Sequence, residues 1–353
     1  MKKSVSIVTN YPLDPMHPRT EMIVNLLESM GLEVAIHNPY LKRTFFQNLL
    51  IKVTWGYFDP AGAARIRHTL DQAGLVIVQG LTYLPFSKHA FRKGIPVVYE
   101  TLDNNVHLYY YYLCRRYPIL KNITFVLRFF ENCEKRYARK YARVTIVNSK
   151  ALLEYFNDQA ELIYYASPLE DITNQDREKA AFLYVGSFEK MKGAFQMLEI
   201  AGYYNLPLIV IGTVSEPEVR NAIGRHKNVI HADRIPTSRL KAMIGEYMEQ
   251  YFLLGLSLTQ AVNLSNKTQE LNKDIDYLAM GIPIVGNERK PTAEKIEAGC
   301  GCYHNDQETI QELIQDRGKR KAMSEHCREY YRKNYSKQIF DEKFRKLLSS
   351  CLI

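Results

Sequence analysis

Apolar and polar positions alternate with two different periods along this chain, and the changes of period mark its elements. Short β-branched runs predict strands at 4–9, 32–37, 75–79, 96–100 and 144–148, with a sixth near 162–164. Between the first two, apolar residues recur at helical spacing from Thr20 to Met30, and Gly31 ends that helix. After a polar passage over 168–179, strands are predicted at 182–186, 208–212, 229–231, 251–258 and 282–285. Helical patterns begin near Met191 and close the chain from about Gln307. Strands alternating with helices predict parallel sheets covered on both faces, and 353 residues are comfortable for two such domains. The expected architecture is α/β, two doubly wound Rossmann-like domains facing across a cleft. Their expected bounds are 1–168 and 169–335, with a last helix over 336–353 crossing back to the first domain.

Composition changes this picture little: 46% hydrophobic and 24% charged residues are ordinary for a soluble globular protein. The best candidate for a membrane span, 119–130, is broken by Lys121, Asn122 and Arg128. The N-terminal Met-Lys-Lys-Ser-Val-Ser-Ile-Val reads as a first strand rather than a signal peptide. Six cysteines are scattered without a Cys-x-x-Cys pair, which predicts free thiols in a cytoplasmic protein and no zinc site. Charge is more telling. The net charge of +9 lies almost wholly in the first half, where 21 Lys+Arg face 13 Asp+Glu through Ser167.

Two stretches of the second half carry candidate chemistry. Asn272-Lys-Asp-Ile-Asp-Tyr-Leu-Ala-Met-Gly-Ile-Pro-Ile-Val285 reads as a short helix, stopped by Gly281, that feeds a buried strand. A helix start presents unpaired N–H groups and a positive dipole end, so Asn272 and Lys273 are placed for an anion. Asp276, one turn in, is placed to accept hydrogen bonds from hydroxyl groups. The other stretch is Val185-Gly-Ser-Phe-Glu-Lys-Met-Lys-Gly193, in which Gly186 ends a strand and Lys192-Gly193 opens a helix. That arrangement suits a diphosphate, and it is neither a Walker A loop nor a G-x-G-x-x-G fingerprint. A capped acid-rich helix and a solvated lysine turn fit the same residues.

Together the two stretches resemble the second domain of GT-B glycosyltransferases, family 4 in particular. The family's Val-Gly-x-x-x-x-x-Lys-Gly is matched by Val185, Gly186, Lys192 and Gly193. Its Asn-Lys-x-x-Glu-Tyr-x-Ala-x-Gly-x-Pro is matched by Asn272, Lys273, Asp276, Tyr277, Ala279, Gly281 and Pro283. In the first half, the runs over 94–103 and 142–152 look like the family's acceptor-side strand and final strand of that domain. The resemblance implies a retaining transferase that takes a nucleotide-diphospho sugar as substrate, more specifically a uridine-linked one, and needs no metal or other cofactor. It implies that Lys192 holds the diphosphate and that Asp276 takes the ribose hydroxyls. Several departures stand out, among them Asp276 itself, one methylene shorter than the family's usual glutamate. Ser187 replaces an arginine that follows the first glycine, Thr268 replaces a sugar-contacting glutamate for which Glu270 is a nearby substitute, and Leu102 replaces a histidine before Asp103. Asp103 ends a strand where it would accept the acceptor's proton or orient the acceptor. In the stiff loop with three prolines before Thr20, Pro18-Arg19 stands where relatives carry two glycines. Arg19 is expected on the donor phosphates, or else as an exposed loop arginine.

Between Arg115 and Arg143 lie nine Lys/Arg and two Glu, interleaved with aromatic residues. Arg115, Arg116, Lys121 and Arg128 are expected to contact an anionic membrane surface; a solvated helix face is the bland alternative. Nucleic acid is not expected as a partner, because no RNP, KH or helix-turn-helix signature is present. The sequence thus points to a transferase of polysaccharide biosynthesis, peripheral on the inner face of the cell membrane, acting on a lipid-linked or membrane-associated glycan. A GT-B epimerase acting on the nucleotide sugar, and a non-catalytic nucleotide-sugar or glycan-binding protein, remain alternatives.

Overall fold

The computed structural model describes residues 4–9, 13, 16–38, 67–80, 84–118, 124–262 and 264–352. The chain divides into two compact units. The first comprises Met1–Tyr164, Asn263–Ser265 and Phe340–Ile353, and the second Tyr165–Val262 and Asn266–Ile339.

Among the described residues of the first unit, six strands form one parallel sheet. They are β1 (Ser4–Thr9), β2 (Glu33–His37), β3 (Leu75–Gln79), β4 (Val97–Thr101), β5 (Val144–Val147) and β6 (Glu161–Leu162), in the order β2-β1-β3-β4-β5-β6. β3 and β4 are buried along their whole length and are apolar until Gln79 and Glu100 near their carboxyl ends, whereas the edge strand β2 is half-exposed, as parallel packing requires. The first helix, Pro18–Ser29, starts two residues earlier than its apolar pattern, because Pro18 at its first turn is preset for helical φ. From Phe340 on, the last helix belongs to this unit: Arg345 donates to Ser29 Oγ (2.8 Å) and Lys343 to the Leu162 carbonyl (3.2 Å).

The second unit repeats the plan with β7 (Ala180–Val185), β8 (Leu208–Ile211), β9 (Val229–Ala232), β10 (Phe252–Ser257), β11 (Ile284–Gly286) and β12 (Gly301–Tyr303), in the order β12-β11-β10-β7-β8-β9. All neighbours are parallel; Phe252 pairs with Ala180 and Gly255 with Leu183 across the central pair. The chain leaves β7 toward one edge and β10 toward the other, so the strand order reverses between them. Outside the carboxyl ends of such a pair lies the crevice where open α/β sheets take ligands. Phe182, Leu198, Val210, Leu254 and Leu256 are among the core residues that fill one face. β12 escapes the apolar pattern: it is three residues long, and its Gly301 is required because a Cβ there would lie 2.0 Å from the Ile284 carbonyl oxygen.

Candidate active site

Two helix starts meet at the β7/β10 reversal. After β7, Gly186 turns the chain (φ +132°) and a single 3-10 turn, Lys190–Lys192, leads to the Ala194–Tyr203 helix. Gly193 joins them with φ +86°, where a Cβ would sit 2.5 Å from the Leu258 carbonyl oxygen just beyond β10. The residue must be glycine, on both counts, for the lysine turn to lie against β10. After β10, the Asn272–Met280 helix begins with Leu271 at its cap position. Neither Gly193 nor Leu271 carries a side-chain oxygen for the first helical N–H groups. Both helices therefore start without the usual polar cap, each with a lysine beside its start.

Tyr277 fixes the second helix against β7. Its hydroxyl donates to the Leu183 carbonyl (3.1 Å) and accepts from the Val185 amide (3.2 Å). Its ring occupies the space over Gly255, where a Cβ would approach it to 2.4 Å. Lys273 is thereby held with Nζ 4.6 Å from the centroid of the Tyr184 ring and 3.4 Å from Thr259 Oγ1. Burial pushes its ammonium down to about 7; repulsion from Lys192 and Arg289 adds to this and Asp274 opposes it. Among the described residues, no carboxylate stands within ion-pair distance of Lys273. Asp274 is fully buried and occupied by other donors, Ser257 Oγ at 2.6 Å and Thr292 Oγ1 at 2.7 Å. Arg289 faces Asp274 at 3.6 Å, so that carboxylate is already engaged and does not reach Lys273 as an ion pair.

Beside this cluster is a hollow of about 280 Å³ lined by Gly186, Ser187, Gly212, Thr213, Arg234 and Leu240, among others. It lies at the carboxyl ends of β7 and β8, continuous with the lysine turn through Gly186. Asp276, on the helix that carries Lys273, receives a hydrogen bond from Ser167 Oγ (2.6 Å), and burial pushes its carboxyl up to about 7.

No family model matches the sequence, and a search of curated proteins finds no match. Solved structures do match over the whole chain. AviGT4, a glycosyltransferase involved in avilamycin A biosynthesis, is 16% identical with a TM-score of 0.58, over 99% of this chain and 98% of that one. A UDP-forming α,α-trehalose-phosphate synthase from Burkholderia vietnamiensis is 11% identical with a TM-score of 0.64, over 98% of this chain and 100% of that one. A mutant of TarM from S. aureus, solved with fondaparinux, α-GlcNAc-glycerol and UDP, is 15% identical with a TM-score of 0.60; the match covers 81% of this chain and 58% of TarM. The chain has the GT-B fold.

Within this GT-B fold the expected site residues fall into three groups. Gly186, Lys192, Asn272 and Lys273 come together at the β7/β10 reversal, with Asp276 one turn further along the second helix. Asp103 lies just past β4, where its carbonyl accepts from Thr101 Oγ1 (2.9 Å) and from the Asn105 amide (2.8 Å).

Arg19 and Glu270 are placed otherwise than expected. Arg19 is fully buried in the first unit, not on an exposed loop. It donates to Glu100 Oε1 (2.9 Å) and to the carbonyls of Tyr164 (2.7 Å) and Ile163 (3.2 Å), and its guanidinium is 4.7 Å from the Phe340 ring centroid. Glu100 is bound in turn by Gln79 (2.6 Å), which takes the Thr20 hydroxyl (2.9 Å). A guanidinium so satisfied is a structural pivot of the sheet's carboxyl edge rather than a phosphate arm. Glu270 is likewise buried, paired with Lys295, which also donates to the Pro291 carbonyl (2.9 Å). A sugar hydroxyl would have to displace that lysine.

Of the expected membrane contacts, Lys121 and the side chains of Arg115 and Arg116 lie outside the described residues, while Arg128 is exposed. Arg289 and Lys295 were not expected. Arg289 donates to the carbonyls of Asn266 and Gln269 and to Thr292 Oγ1 (2.8 Å), tying the 266–270 segment to the site. The carbonyls of Asn266 and Gln269 and the carboxylate of Glu270 are distant in sequence from these two cations, so only the run of three charged residues after Asn287 hinted at them.

Proposed function

We propose that this protein is a retaining glycosyltransferase that takes a nucleotide-diphospho sugar, uridine-linked in the first instance, on its second unit. The observation that carries the reading is the meeting of two uncapped helix starts and their lysines at the strand-order reversal. A diphosphate would be held there by Lys192, Lys273 and the backbone N–H groups. The hollow along Gly186 and Gly212 would take the nucleoside, and Asp276 the ribose hydroxyls once it exchanges its bond to Ser167. TarM solved with UDP and a trehalose-phosphate synthase described as UDP-forming support the choice of uridine.

In the reaction, the acceptor hydroxyl oxygen forms its bond to the anomeric carbon as the bond to the diphosphate breaks. The hydroxyl proton passes to the departing phosphate oxygen, and the two lysines stabilise the charge left on the diphosphate. Asp103 orients the acceptor. We assign the acceptor to a lipid-linked or membrane-associated glycan, with the enzyme peripheral on the inner face of the cell membrane. This rests on the outward stripe of the Thr124–Tyr141 helix: Phe125 and Phe129 are 73% and 60% exposed, and Arg128, Arg136 and Lys140 share their face.

A panel of nucleotide sugars screened by thermal shift tests the donor claim. The correct donor at a hundredfold excess over Kd should add about 2.7 kcal/mol of stability, and Lys192→Ala or Asp276→Ala should remove the shift. Slow hydrolysis of that donor without acceptor is the second readout; binding without turnover would leave a nucleotide-sugar-binding protein instead.

A further inference from the structure

The first unit holds a second cationic hollow that the transfer reaction does not use. It has about 170 Å³, several times the share of one water molecule and enough to admit a phosphate group. It opens at the amino end of β5, and in a parallel sheet that is the edge opposite the one where Asp103 and the Glu100 network lie. Lys135 and Arg139 reach it from successive turns of the Thr124–Tyr141 helix, and Arg143 from the connection to β5; Ala138 and Phe156 floor it.

The three cations are not consumed by acids. Lys135 stands over the Tyr155 ring (4.1 Å) and Arg139 donates to Gln159 Oε1 (3.2 Å). Among the described residues, no carboxylate lies within ion-pair distance of Lys135, Arg139 or Arg143. The nearest acid on the helix, Glu134, is buried and bound by the hydroxyls of Tyr99 (2.7 Å) and Tyr155 (2.8 Å). The helix dipole accounts for cations in the last turn. It does not account for Lys135 a turn earlier, nor for a hollow between the three.

We propose that this hollow binds a phosphate group, carried by a dissolved phosphomonoester or by the headgroup of an anionic phospholipid. Two guanidinium forks and an ammonium around a volume of that size are the donor set a phosphate oxygen cluster takes. The inference is independent of the donor site.

The test uses the full chain carrying Lys273→Met, so that the donor crevice competes less for anions. Calorimetric titration with inorganic phosphate and with glycerol 3-phosphate, in a buffer free of other oxyanions, should give saturable binding. Adding Arg139→Gln and Arg143→Gln, both at exposed positions, should weaken it about tenfold or more. The charge-matched pair Arg136→Gln and Lys140→Gln, on the outward face, should change it less than about twofold. Equal losses in the two pairs, or no saturable binding at all, would overturn the proposal.

Co-sedimentation with phosphatidylcholine vesicles, with and without phosphatidylglycerol, then identifies the source. A lipid headgroup is indicated if the Arg139/Arg143 pair lowers binding to anionic vesicles and glycerol 3-phosphate competes. A dissolved ligand is indicated if vesicle binding is unchanged while the titration is lost. With Lys273 intact, the Arg139/Arg143 variant should keep its nucleotide-sugar thermal shift, so failure at one site is not mistaken for failure at the other.

Discussion

Lys273 is held at a cost to the fold. Its folded value of about 7 lies below the ordinary lysine value of 10.5. The sign follows: the penalty is full below pH 7 and fades as pH rises from 7 toward 10. Lys273→Met should therefore raise the unliganded melting temperature at pH 7, by about 3 °C for about 1 kcal/mol, while abolishing the donor-induced shift. A loss of stability on this substitution would mean that the lysine is structural. The proposed donor binding should have its own pH dependence. The bound diphosphate favours the charged ammonium, so affinity should be greatest below pH 7 and fall by up to about tenfold per unit above it. Calorimetry between about pH 6 and 9 reads this directly, and a flat profile would remove Lys273 from the diphosphate.

At the scale of elements, the lysine turn and the Thr124–Tyr141 helix make separate demands. Gly193→Ala places a methyl group against the Leu258 carbonyl at a left-handed φ. It should cost about 1–3 kcal/mol in urea unfolding and weaken donor binding as well. In the helix, burial pushes the Glu134 carboxyl up to about 7, against hydrogen bonds from Tyr99 and Tyr155. A folded value raised above the unfolded one gives stability that is complete below about pH 4.5 and is lost as pH rises through 7. Glu134→Gln keeps an acceptor for one tyrosine and offers its NH2 to the hydroxyl oxygen of the other, and it should gain on the native protein as pH goes from 5 to 8, measured as the difference between the two unfolding curves.

How much of this was legible depends on the range of the forces involved. Gly186, Lys192, Asn272 and Lys273 announce themselves because strand, glycine and lysine follow one another closely in the chain. Tyr277 stood in the motif, but its role did not, because its partners Leu183 and Val185 are some ninety positions away. Arg19 was misplaced for the same reason: three prolines read as an extended loop, and nothing local tells that Glu100 and the Ile163 carbonyl wait for the guanidinium. β12 was missed because a strand of three residues containing glycine has no period to read.

For the whole molecule, the uneven charge becomes a surface property of one unit. No helix among the described residues is long and apolar enough to cross a membrane. The exposed phenylalanines sit at the first turns of the Thr124–Tyr141 helix and its cations follow along the same face, an order suited to lying on lipid. Anionic vesicles should therefore retain the protein, neutral ones should not, and salt should weaken retention. Phe125→Ser with Phe129→Ser should reduce retention without changing donor hydrolysis; equal retention on both kinds of vesicle would remove the membrane from the picture.

Gly186 and Gly212 touch through their backbones, and a Cβ on Gly212 would fall 2.0 Å from the Gly186 carbonyl oxygen. Where the two glycines meet, the wall of the hollow proposed for the nucleoside is thus main chain on main chain, flanked by the side chains of Ser187 and Thr213. If that hollow takes the base, an attempt to re-engineer the choice of base has Ser187, Thr213, Arg234, Ile235 and Leu240 to work with, while the contact between the two glycines has to stay as it is.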